Sequence, residues 1–165
     1  MFEHLKNKRV LVTGPQRSGT TICAHMIAHD AGLDYVDECD IGVNHAHRAR
    51  SMFASRKNFV LQAPGIAHVC HTINADCVVF MIRPVADIIK SQERIGWGYE
   101  KMELGKYGEE KGPIAKVKYD YWIRYQKNLI DNACEVGFDE LLSHHMYIHD
   151  RANFTPRQWR REKPV

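Results

Sequence analysis

The chain has 165 residues, 44% of them hydrophobic and 26% charged, with a formal charge of +3. That length suffices for one domain with its own core, and the near balance of charge does not by itself point to nucleic acid. No apolar run approaches the roughly 20 residues that span a bilayer, and six Phe, seven Tyr and three Trp argue against wholesale disorder.

Arg9 to Thr13 reads as a short buried strand that runs into Gly14-Pro15-Gln16-Arg17-Ser18-Gly19. From Thr20 to His29, Ile22, Met26 and Ile27 recur at helical spacing, and Ala31-Gly32 ends that helix. A second strand is expected over Asp34 to Val36, a basic helix over Asn44 to Ser55, a third strand over Phe59 to Gln62 and a helix over Ile66 to Ile73. Cys77 to Ile82 is apolar throughout, the pattern of a parallel strand covered on both faces. A helix over Asp87 to Arg94 follows Pro84.

The segment 96–112 carries Gly96, Gly98, Gly105, Gly108 and Gly112 amid charges and reads as an exposed flap. Ala115 to Val136 reads as the longest helix, with a further turn at Phe138 to Leu142. Met146 to His149 is a last strand candidate, and Pro156 suits the first turn of a final helix. Alternating strands and helices imply one α/β domain over 1–165 with a mostly parallel central sheet in three layers.

The five cysteines are odd in number and contain no CxxC pair, so reduced thiols and a cytoplasmic location are expected. The ten histidines and these cysteines show no paired ligand spacing for zinc. Arg151, Arg157, Arg160, Arg161 and Lys163 make the last fifteen residues basic, which suits a solvated terminus or a phosphate contact. Basic residues are nowhere interleaved with aromatics, so nucleic acid is not the expected partner.

The sharpest feature is Gly14 to Thr21, a glycine-bounded loop between a strand and a helix. Glycines allow the tight turn that aims several N–H groups at one anion, and the helix N-terminus adds its dipole. Arg17 adds fixed charge; Thr20 and Thr21 add hydroxyls. The spacing follows GxxxxGK[ST] at Gly14, Gly19 and Thr21, but Thr20 stands where that pattern has lysine.

Arg17-Ser18-Gly19-Thr20-Thr21 resembles the loop with which P-loop sulfotransferases bind the 5′ phosphosulfate of 3′-phosphoadenosine 5′-phosphosulfate (PAPS). The resemblance implies that Arg17 clamps the phosphosulfate and that Gly14, Gln16, Ser18, Gly19, Thr20 and Thr21 complete the cofactor loop. A second stretch is similar to the family's 3′-phosphate site: Val78 to Ile82 leads into Arg83, and Ser91 follows eight positions later. Arg83 can fork onto a phosphate while Ser91 donates a hydroxyl bond.

The same resemblance implies a base about twenty residues beyond the loop arginine, and Glu38 stands twenty-one after Arg17. Asp37, Asp40 and the histidines His45, His47, His68 and His71 are the alternatives. The chain departs from the family at Ile22, where an aromatic is common, and at Gln62-Ala63-Pro64, where many members have Lys-x-Pro. Phe138-Asp139-Glu140-Leu141 mimics a Tyr-Glu-Asp-Leu-like segment without a clear strand before it. The late Arg-Lys-Gly segment is absent, with Arg157, Arg160 or Arg161 as substitutes.

The implied activity is transfer of a sulfuryl group from PAPS to a hydroxyl or amine on a small-molecule or peptide acceptor. The implied catalytic groups are Arg17 and Glu38, and the scheme calls for no metal. A small nucleoside or nucleotide kinase and a non-catalytic nucleotide binder are the rival readings. Oligomeric state is open.

Overall fold

Val10, Leu11 and Val12 lie at the centre of the sheet and are fully buried, because neighbours cover them on both sides and both faces. In the computed structural model, which describes residues 1–97, Tyr107 and 112–147, they belong to β1 (Arg9–Thr13). The chain continues through α1 (Thr20–Ala31), β2 (Asp34–Asp37), α2 (Glu38–Ile41), α3 (Ala46–Ser55) and β3 (Phe59–Gln62). Tight 3-10 turns over Pro64–Thr72 lead to β4 (Cys77–Ile82) and α4 (Val85–Glu93). The last described elements are α5 (Ile114–Arg124), a 3-10 turn at Gln126–Leu129, β5 (Ala133–Gly137) and a 3-10 turn at Phe138–Ser143.

The five strands take the order β2-β3-β1-β4-β5, and every neighbouring pair is parallel. Parallel pairing forces each connection to cross over a face of the sheet, so both faces are covered. Alternation along the strands divides the core accordingly. Val10, Val12, Val60, Val79 and Met81 face α1 and the Phe138 turn. Leu11, Phe59, Leu61, Val78 and Phe80 face α3, the 64–72 turns and Trp122 of α5. Trp122 stacks on Phe80 with ring centroids 4.1 Å apart and donates its indole N–H to Glu135 at 2.9 Å. The α/β three-layer expectation therefore holds, with a sheet that is wholly parallel.

Three readings of the sequence are corrected. The helix expected over 115–136 ends at Arg124, and its second half supplies β5. Ala133 to Gly137 pair in register with Val78 to Ile82, so backbone pairing along the edge of β4 outweighs the helical spacing of the side chains. The Phe138-Asp139-Glu140-Leu141 segment thus has a strand directly before it. Met146 and Tyr147 lie in a turn, where Tyr147 N–H donates to His144 C=O, rather than in a strand. Most of the flap at 96–112, the basic tail and the helix expected after Pro156 fall outside the described residues. Among the described residues no helix is long and apolar enough to cross a membrane.

Candidate functional site

In an open parallel sheet, side chains just beyond the C-terminal strand ends share one crevice. Here those ends carry the 14–19 loop after β1, Asp37 and Glu38 after β2, Pro64 and Gly65 after β3, Arg83 after β4 and Phe138 after β5. The strand register keeps them level: Asp37 and Val12 both pair with Gln62, and Ile82 pairs with Gly137.

The loop closes on itself through Pro15, whose carbonyl accepts from both Ser18 N–H at 3.1 Å and Ser18 Oγ at 2.7 Å. Gly19 then enters α1 with φ at +104°. A Cβ there would lie 2.6 Å from Phe138 Cδ2, so only glycine lets the loop pass under that ring. Gly19 also has no side chain with which to cap α1, which leaves first-turn N–H groups to an anion or water.

Arg17 has φ at +71°, a left-handed conformation that costs a non-glycine residue energy. Contacts across the crevice hold it there. Its Nε donates to Ser91 Oγ at 3.1 Å, and its carbonyl accepts from Arg83 Nη1 at 2.9 Å. The residues of the two separate sequence motifs thus converge on one spot. The Arg83 guanidinium also lies 4.2 Å over the Phe138 ring, a cation–π contact. Tyr119 Oη brackets the Arg83 backbone, accepting from its N–H at 2.9 Å and donating to its carbonyl at 3.0 Å. Burial pushes the Tyr119 hydroxyl up to about 12.

Thr20 is buried, and its Oγ1 accepts from Gln62 Nε2 at 3.2 Å. Gln62, the departure from Lys-x-Pro, is therefore tied to the position where the GxxxxGK[ST] pattern has lysine. Thr21 is half-buried in the first turn of α1. Gly14 begins the loop beneath the Met81 backbone. Gln16 accepts a hydrogen bond from Lys118 Nζ of α5.

Glu38 is half-buried, and its Oε2 accepts from Gly65 N–H at 2.9 Å. Desolvation raises its carboxyl above the ordinary glutamate value; the Gly65 bond and the Lys118 charge oppose that, and Asp37 adds to it. A Cβ on Gly65 would lie 2.8 Å from Asn44 Oδ1 and 2.9 Å from that same carboxylate oxygen, so a larger residue there would push the Glu38 carboxylate aside. Asp37 and Asp40 are committed to structure. Asp37 accepts from Cys39 N–H and from Tyr35 Oη, while Asp40 accepts from Asp37 N–H, closing a capping box on α2.

The histidines disperse. His45 and His47 meet edge to face at 5.4 Å, and His68 meets Tyr107 at 5.8 Å. His71 lines a groove with Lys8 and Asp76 at the opposite strand ends, away from the loop. Among the described residues no cluster of three or more His, Cys, Asp or Glu could hold a metal ion.

Sequence reasoning missed Lys118, Tyr119 and Arg94, whose Nη2 lies 3.4 Å from Ser91 Oγ. One signal for Lys118 was present. It shares the buried face of α5 with Ala115 and Trp122, at positions three and seven on from Ala115, whereas Lys116 is exposed and pairs with Asp120. A lysine inside an apolar stripe is the irregularity.

No protein-family model matches the chain, and no curated protein matches it. Among solved structures it is similar to the shikimate kinase from Acinetobacter baumannii in complex with shikimate. The TM-score is 0.52 at 15% identity, covering 82% of this chain and 88% of that one. At that identity the likeness concerns the fold alone, an α/β fold around a five-stranded parallel sheet.

Proposed function

We propose that this chain is a PAPS-dependent sulfotransferase acting on a hydroxyl or amine. The observation that carries the reading is the meeting of Arg83 and Ser91 with Arg17 at the loop mouth. A donor with one phosphate needs the loop alone; PAPS carries a second phosphate, on the 3′ oxygen. A strand-end guanidinium and a helix hydroxyl beside the loop match that second group.

Under this reading the acceptor oxygen or nitrogen attacks sulfur while the bond from sulfur to the bridging phosphate oxygen breaks. Glu38 takes the acceptor proton, and the burial that raises its affinity for a proton suits that role. Arg17 and the first-turn amides of α1 stabilise the negative charge that grows on the departing phosphate. Arg83 and Ser91 hold the 3′ phosphate, and Gln62 positions Thr20.

The fold favours a second reading. The solved neighbour is a kinase, so a phosphoryl transferase that uses ATP is the rival. Its loop departs from the pattern at Thr20, which stands where such loops carry the lysine that reaches the terminal phosphates, so a kinase of this kind needs that charge from another element. Calorimetric titration with 3′-phosphoadenosine 5′-phosphate, ATP and AMP, each with and without Mg²⁺, separates the two. Metal-independent binding that requires the 3′ phosphate is expected. Preference for ATP with Mg²⁺ would transfer the site to the kinase reading, and no binding at all would leave neither enzyme.

A further inference from the structure

We infer that Lys118 supplies the cation for the transferring terminal group of the donor, a charge delivered by α5 in place of the loop lysine this chain lacks. The inference rests on the group-transfer reading above and names a further residue of that site. An in-line transfer has its base on one side of the moving group and the loop on the other. Lys118 is linked to both: its Nζ donates to Gln16 in the middle of the loop, and its charge acts on the Glu38 carboxyl. The space between those two residues is where a sulfuryl group bound to the loop meets its acceptor.

Burial gives the placement weight. Lys118 is 5% exposed, on the inward face of α5 between Ala115 and Trp122. Taking an ammonium out of water is costly unless polar partners receive it. A helix that needed only packing here would carry an apolar side chain, as Ala115 and Trp122 do. The neighbouring residue, Tyr119, grips the Arg83 backbone, so one turn of α5 reaches both the loop and the end of β4. A sulfuryl oxygen beside Gln16 lies within reach of the Lys118 ammonium, which can meet it with an ionic hydrogen bond.

The test compares the donor with its product, two nucleotides that differ only in the terminal sulfuryl group. Wild type, Lys118→Met and Lys118→Arg are titrated with PAPS and with 3′-phosphoadenosine 5′-phosphate. Lys118→Met should weaken PAPS binding tenfold or more and change 3′-phosphoadenosine 5′-phosphate by less than twofold, while Lys118→Arg restores most of the difference. The acid limb of the rate profile should also move to higher pH in Lys118→Met, since a cation near Glu38 is gone. Equal weakening of both nucleotides, which is what a purely structural prop for Gln16 predicts, overturns the inference, as does no weakening. Should Lys118→Met fail to fold, Lys118→Gln is measured instead, keeping a donor for Gln16 without the charge. If wild type binds neither PAPS nor its product but binds ATP, the sulfuryl reading falls, and ATP against AMP with Mg²⁺ poses the same question. Selective loss for ATP then upholds the role of Lys118, and its absence ends it.

Discussion

A carboxyl that serves as base must lose its proton before it can take another, and Glu38 holds its own more firmly than a solvated glutamate does. The rate should therefore rise with pH along a limb centred above the ordinary glutamate value of about 4.3, and that limb should vanish in Glu38→Gln. This variant should keep nucleotide affinity and lose roughly 10²–10⁴-fold in turnover; wild-type turnover would remove Glu38 from the mechanism. Stability gives the same group a second readout. A carboxyl raised in the folded state contributes stability below its unfolded value and loses that contribution as pH rises through the folded one. Glu38→Gln should thus gain on wild type across that window in urea melts. At Arg83 the expected effect is on affinity: a charge-assisted phosphate contact is worth about 1.5–3 kcal/mol. Arg83→Ala should accordingly bind 3′-phosphoadenosine 5′-phosphate roughly 10–100-fold more weakly, with AMP much less affected. Arg17, Arg83, Ser91 and Glu38 were singled out by their resemblance to sulfotransferase motifs, and the structure brings Arg17 into contact with Ser91 and Arg83. Lys118 was not legible, because it reaches Gln16 from 102 residues away, and only its intrusion into an apolar stripe marked it.

Elements set the loop's shape, and the tightest junction is Gly19 beneath Phe138. Gly19→Ala meets both a clash and a positive φ, a combination that costs roughly 1–3 kcal/mol for the backbone strain alone. At about 2–4 °C per kcal/mol for a domain of this size, calorimetry should show a visibly lower Tm, together with loss of nucleotide binding. Adding Phe138→Ala removes the clash and leaves the strain, so it should not restore the loop. Four of the five strands were legible because their apolar runs are short and bounded by turn residues. The fifth was hidden in plain helical spacing: Ala133 to Gly137 continue the rhythm of α5 on paper, and only the edge offered by β4 decides otherwise. Turn residues Asp131 and Asn132 were the local sign that the helix had already ended.

Across the whole molecule, the strand ends opposite the crevice are fastened by Arg9 and Asp76, whose Nη2 and Oδ1 lie 2.6 Å apart. The Arg9 guanidinium beside Asp76 holds that carboxyl below the usual range. A lowered carboxyl contributes stability above its unfolded value and loses it as pH falls through the folded one. Asp76→Asn should therefore be less stable than wild type near neutrality, with the gap closing as pH drops below about 4. The central position of β1 has a consequence during synthesis. Its partners are β3 and β4, both later in the chain, so during synthesis β1 stays unpaired until Gln62 and then Ile82 have followed it. Val10-Leu11-Val12 waits through that interval as an apolar segment with open hydrogen-bonding edges, the kind of stretch that chaperones shield and that aggregates when they do not. The same centrality that fixes the loop in the folded chain makes its supporting strand the most vulnerable part of the nascent one.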